Sequence, residues 1–253
     1  MKTSQLIANT LLAGLGLVAS VAQAVELKVL SGNGSRPAVI ALTKQFEQAT
    51  GHKVTVDFFV NPDVKKKIEA GEYFDVTVLN PPVLDDLIKQ GKVAANSRAV
   101  IGRIGLGAAI KSGAPKPDIS TVEGFKKTML SINSVAYPGD GASGIYFVSL
   151  LDRMGIGAEM KPKLRPMSGE YNVEVVATGT VDMVVVVASR IYGVPGVDML
   201  GLIPKELQTW IGFATGVNPQ SKHAEAARAL TKFLSTPPAD AVLKPIGIEP
   251  FVE

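Results

Sequence analysis

The sequence predicts an α/β fold of mixed, mostly parallel sheets with helices on both faces. Short β-branched runs alternate with segments of helical periodicity, and glycines stop the helices one after another. The loops that open the helices are rich in Gly, Ser and Asn. Strands and helices alternating this regularly build βαβ units.

In chain order, Leu27 to Leu30 reads as a strand and Ser31 to Ser35 as a loop. Pro37 to Thr50 is a helix, with Val39, Leu42 and Phe46 at helical spacing and Gly51 as its stop. Val54 to Val60 is a strand, Asn61-Pro62 opens a helix through Ala70, and Phe74 to Leu79 is a strand meeting Asn80-Pro81-Pro82. Val83 to Gln90 is a third helix, and Arg103 to Ile110 the next strand. Ser120-Thr121-Val122-Glu123 reads as a capping box with Ser120 at the cap, for a helix through Leu130. Ser134 to Tyr137 is a strand, Gly139 to Gly144 a turn, and Ile145 to Met154 a helix. Tyr171 to Thr178 reads as a short helix and Met183 to Val187 as a buried strand. Trp210 to Thr215 is strand-like, Ser221 caps a helix to Ser235, and Pro238 to Leu243 is a last short helix.

The amino terminus reads as an address. Lys2, an apolar run from Leu6 to Val21 and Ala22-Gln23-Ala24 have the layout of a secretory signal peptide, so residues 1–24 are expected to be removed and the chain to reach the periplasm. The apolar run is interrupted by Asn9, Thr10 and Ser20, and a membrane span needs about 20 apolar residues. With no cysteine, the exported chain must be stabilised by its core. A net charge of +3, with Lys65-Lys66-Lys67 as the one basic run, argues against a nucleic-acid partner.

Chemistry of several kinds is excluded by spacing. His52 and His223 have no second ligand nearby in sequence, so no metal is expected. Gly141-Ala142-Ser143-Gly144 lacks the final glycine of a nucleophile elbow, because Ile145 stands there. Asp85 and Asp86 point about 100° apart on a helix and cannot work as a pair. The chain is therefore expected to bind rather than catalyse, without a cofactor. What remains is a set of loops at helix starts: Asn33-Gly34-Ser35, Asn61, Gly141 to Gly144, and Ser168-Gly169 before Tyr171. A helix start offers unpaired N–H groups and partial positive charge, and each loop taken singly is also an ordinary N-cap.

Several stretches carry a resemblance. Ala38 to Val54, Ile68 to Val76, Val83 to Val93, Ser112 to Thr121, Gly141 to Gly155 and Phe233 to Pro250 follow each other as in the molybdate-type periplasmic solute-binding proteins of ABC importers, which the chain resembles over nearly all of its mature length. The resemblance implies a two-lobed type II periplasmic-binding fold with a central cleft. Lobe one would comprise residues 25–104 and 213–253, and lobe two residues 105–212. It also implies delivery of a small solute to a membrane permease, and ligand contacts at Gly34 or Ser35, at Asn61, at Ser143, near Gly169 to Tyr171 and at Val187. Taken with the helix-start loops, this places the expected ligand among Asn33, Gly34, Ser35, Asn61, Ala142, Ser143, Tyr171, Val187 and Ala188 of a chain expected to be a monomer. Asn61-Pro62-Asp63 and Val187 depart from the family pattern, so the ligand is expected to be an anionic or polar solute other than molybdate. Arg36 and Arg190 flank two of these loops, either as carboxylate partners or as plain surface arginines. A sensing partner of a receptor and an enzyme on the same fold are the other functions this architecture hosts.

Overall fold

The computed structural model describes residues 24–168 and 172–249. The signal-peptide reading of residues 1–24 therefore lies almost wholly outside the described residues, as does Tyr171. In chain order the elements are β1 (Glu26–Gly32), α1 (Arg36–Thr50), β2 (Lys53–Phe59), α2 (Asn61–Glu69), β3 (Val76–Leu79), α3 (Pro81–Lys89) and β4 (Ala99–Ile104). These are followed by β5 (Leu106–Lys111), α4 (Val122–Ser131), β6 (Val135–Pro138), α5 (Ala142–Arg153), α6 (Gly157–Met160) and β7 (Leu164–Met167). The chain continues through β8 (Met183–Val187), β9 (Val197–Leu202), β10 (Ile211–Val217), α7 (Ala224–Leu234) and α8 (Pro237–Leu243).

The described strands form two sheets of five, ordered β2-β1-β3-β10-β4 and β7-β6-β8-β5-β9. In each, three neighbouring strands pair in parallel and two further pairings are antiparallel, through β10 in the first sheet and β5 in the second. The two-residue period of a strand decides which helices cover which face. In the first sheet Val29 and Val78 pack with Leu42 and Phe46 of α1 and Leu230 of α7, while Leu30 and Leu79 pack with Val64, Ile68, Leu84 and Leu87 of α2 and α3. In the second sheet Leu106, Ala108, Met183 and Val185 bury Phe125 of α4 and Phe147 of α5. The result is the α/β fold that the alternation predicts, in the two lobes that the resemblance implies.

Several boundaries differ from the sequence reading. α5 begins at Ala142 rather than Ile145, so Ala142 to Gly144 are its first turn and not a loop. Arg103 to Ile110 is two strands in different sheets, because the chain crosses from one sheet to the other at Gly105. The cap of α4 is Thr121, whose Oγ1 accepts from the Gly124 amide at 3.0 Å, while the Ser120 amide is held by Asp118. The α7 cap is His223, since the Ser221 hydroxyl is engaged elsewhere. The helix read over 171–178 is a single 3-10 turn, Val173–Val175, in its described part. Strands β7 and β9 escaped the sequence reading because neither alternates cleanly and β7 contains Pro166. We expect Thr121→Ala to cost about 1 kcal/mol, measured as a lower urea midpoint at unchanged slope. An unchanged midpoint would refute the cap.

Candidate functional site

The parallel strands of the first sheet end together, and helix starts gather at that edge, where open α/β sheets bind ligands. Gly32, Asn33, Gly34 and Ser35 follow β1, Val60 and Asn61 lead into α2, and Leu79 and Asn80 lead into α3. From the second sheet come Gly141 and Ala142 at the start of α5, and Ile211 and Phe213 of β10 complete the wall. The void they enclose is small, about 30 Å³. That is room for about two water molecules.

No side chain caps α1, α2, α3 or α5 at this edge, and α6 and α7 lack side-chain caps as well, whereas α4 has its Thr121 cap. The starts of α1, α2 and α5 thus keep first-turn amides that no side chain of the cap residue takes up, although Pro37 and Pro62 each remove one, whereas α3 opens on Pro81-Pro82, which carry no N–H. Together with the helix dipoles these amides set a positive, donor-rich wall around the void. Among the described lining residues there is no carboxylate and no histidine. Among the described residues, no group of three or more His, Asp and Glu side chains is placed to hold a metal ion.

Of the residues singled out from the sequence, Asn33, Gly34, Ser35, Asn61 and Ala142 line this one cavity. Ser35 is buried, and its hydroxyl donates to the Gly32 carbonyl at 2.9 Å and lies 3.0 Å from that of Ser31, bracing the turn. Gly34 is where the two sheets' loops meet. Its carbonyl accepts from the Ser189 hydroxyl at 3.0 Å, and a Cβ there would lie 3.2 Å from the Phe213 ring and 3.8 Å from Val187. Val187 and Ala188 are buried beside this junction, outside the cavity lining. Ser143 is buried in the first turn of α5, one residue beyond Ala142. Arg36 lies over the Phe58 ring, 4.5 Å from its centroid, and Arg190 ends the 3-10 turn Ala188–Arg190. The Asp63 carboxylate faces solvent 3.9 Å from Lys66.

Sequence reasoning missed Asn80, Ser189 and Phe213. Asn80 had a signal, since Asn80-Pro81 repeats the Asn61-Pro62 pattern at a helix start. Asn61 Nδ2 donates to Asn80 Oδ1, and the backbone N–H of Asn80 reaches Asn61 Oδ1 at 3.4 Å. Gly32 makes room for this pair, because a Cβ there would sit 2.6 Å from Asn61 Oδ1.

Comparison with known proteins places this geometry in a family. The model of the bacterial extracellular solute-binding proteins matches residues 27–249. An aconitate isomerase of a Pseudomonas species is 34% identical over 232 residues, covering 88% of this chain and 87% of that protein. The molybdate-binding protein ModA of Azotobacter vinelandii is 28% identical over 246 residues, covering 92% and 94%. Among solved structures, the periplasmic molybdate-binding protein of A. vinelandii superposes with a TM-score of 0.75 at 18% identity, over 88% of this chain and 98% of that one. The sulfate-binding protein SubI of Mycobacterium tuberculosis gives 0.68 at 18% identity, over 89% and 87%. One expectation is corrected here. A chain without a catalytic motif was expected not to be an enzyme, and a relative this similar is named for an isomerase; a cleft built from scattered loops carries no contiguous motif by which catalysis would announce itself. The chain belongs to the bacterial extracellular solute-binding protein family.

Proposed function

We propose that this protein is exported, with cleavage after Ala24, and that its cleft takes a small carboxylate anion, with aconitate as the first candidate. The observation that carries the reading is the ring of helix starts without side-chain caps around a wall with no described carboxylate. Such a wall suits an anion held by neutral donors. Arg36 and Arg190, beside the wall, suit the outer carboxylates of a polycarboxylate. In this reading residues 25–104 and 213–253 form one lobe and 105–212 the other. Asn33, Gly34, Ser35, Asn61 and Ala142 face the ligand, with Ser143, Val187 and Ala188 buried close behind them. A void of about 30 Å³ admits no polycarboxylate, so the lobes part at Gly105 and at the 203–210 segment to load it. Delivery to an ABC-type permease in the periplasmic space is the role this reading gives it, supported by the solute-binding family and the molybdate-binding relative. Turnover of aconitate in the same cleft is the second reading, favoured by the relative at 34% identity.

Calorimetry of the protein beginning at Val25 with cis-aconitate, trans-aconitate, molybdate and sulfate tests the first reading, and proton NMR of the aconitate mixture tests the second. Aconitate is expected to bind and molybdate to bind weakly. Arg36→Ala and Arg190→Ala are expected to weaken aconitate about tenfold each, about 1.4 kcal/mol. Tight molybdate binding with no aconitate binding would overturn the ligand class.

A further inference from the structure

We infer that Asn80 is a positioning residue that ties the cleft wall to the strand on which the chain returns between the sheets. Its side-chain amide has two ends with different employment. The oxygen accepts from Asn61 Nδ2 at the start of α2, inside the cavity wall. The nitrogen donates to the carbonyl of Gly212 on β10 at 2.8 Å. Gly212 lies opposite Arg103 of β4, two residues before the chain leaves the first sheet at Gly105. The path Asn61–Asn80–Gly212 therefore runs from the cavity to the place where both connections between the sheets pass.

Two glycines permit it. A Cβ at Gly32 would collide with Asn61 Oδ1, and one at Gly212 would press on the Pro81 ring at 3.0 Å, displacing the start of α3. Asn61 thus acts through Asn80: one of its two Nδ2 hydrogens goes to Asn80 Oδ1, which holds the α2 start in place beside the cavity. The second connection carries a similar side-chain clasp. Gln208 accepts from the Leu106 amide at 2.8 Å and donates to the Leu106 carbonyl at 3.0 Å. Both connections are gripped by side-chain amides, and only the Asn80 clasp reaches into the cavity wall. A solute that draws the α2 start inward pulls, through Asn80, on β10.

This inference rests on the cavity being the ligand site, and its test separates the two. Asn61→Ala, Asn80→Ala and the double variant would be titrated with trans-aconitate, and hydrogen exchange of the amides at 211–213 followed without ligand. Each single change is expected to weaken binding about tenfold, and the double change no more than either alone, because the two side chains act as one unit. Exchange at 211–213 is expected to quicken in Asn80→Ala and to stay near wild type in Asn61→Ala. Losses that multiply to about a hundredfold in the double variant overturn the relay. So do unchanged exchange in Asn80→Ala, or a drop in melting temperature with affinity untouched, which would make Asn80 merely structural. If the wild type binds no aconitate, the carboxylate reading falls and the exchange data alone decide the relay.

Discussion

Replacing Asp75 by alanine is expected to destabilise the protein by about 3 kcal/mol, with the functional cavity unchanged. Asp75 is 1% exposed and has three donors. Its Oδ2 accepts from the Lys28 amide at 2.8 Å, and its Oδ1 accepts from the Tyr73 and Ser221 hydroxyls, each at 2.6 Å. The residue joins β1, the entry to β3 and the segment that follows β10, three pieces far apart in sequence. Burial, and then the hydrogen bond to Asp75, push the Tyr73 phenol above its ordinary value, so it remains a donor through the neutral range. Alanine would leave the Lys28 amide and two hydroxyls facing an empty acceptor site, and an unsatisfied buried donor costs about 1–3 kcal/mol. Asp75→Asn is expected to lose only about 1 kcal/mol. Its carbonyl can serve Lys28 while its amide donates to the two hydroxyl oxygens. Urea unfolding measures both, and an Asp75→Ala midpoint equal to wild type would refute the staple.

The same residue shows how far the sequence could be read. Asp75 stood in an apolar strand pattern with no partner in sight, because two of its three donors, Lys28 and Ser221, come from positions that only the fold brings near. The strand–helix alternation was readable because period and glycine stops are local. The crossing at Gly105 was not: Leu106 to Ile110 continues the apolar run of β4, and nothing within it tells which sheet each half joins. The site was partly readable for a similar reason. Helix-start loops mark themselves by composition, so Asn33, Gly34, Ser35, Asn61 and Ala142 were found, and they share one cavity. Ser189 and Phe213 carry no such mark. Ser189 is one buried hydroxyl in a turn, and Phe213 is a strand residue whose role depends on lying against Gly34. Reactivity was the least readable property. No catalytic spacing exists to be found, yet a relative at 34% identity is named for an isomerase.

Gly144→Ala is expected to be among the most damaging single substitutions in the chain, lowering stability by about 3 kcal/mol and weakening ligand binding with it. In an open helix this change would help, since alanine is favoured over glycine by about 1 kcal/mol. Here the first turn of α5 runs so close to the end of β6 that an added Cβ would lie 1.5 Å from the Pro138 carbonyl oxygen. That contact is with backbone, which cannot swing aside as a side chain would, so either α5 or the end of β6 must shift. The shift acts on the cavity directly, because Gly141 and Ala142 of the same turn form its second-sheet wall. Sterics therefore outweigh helix propensity, and the stability loss and the binding loss share one cause. Ile145→Ala is the control: Ile145 is the next residue on the helix, 63% exposed, and its truncation is expected to change stability by less than about 0.5 kcal/mol. Urea unfolding and calorimetry on the two variants give the comparison. A Gly144→Ala protein as stable as wild type would show that α5 can withdraw from β6 without cost. One that is destabilised but binds aconitate at full strength would show that the α5 start is no part of the binding wall.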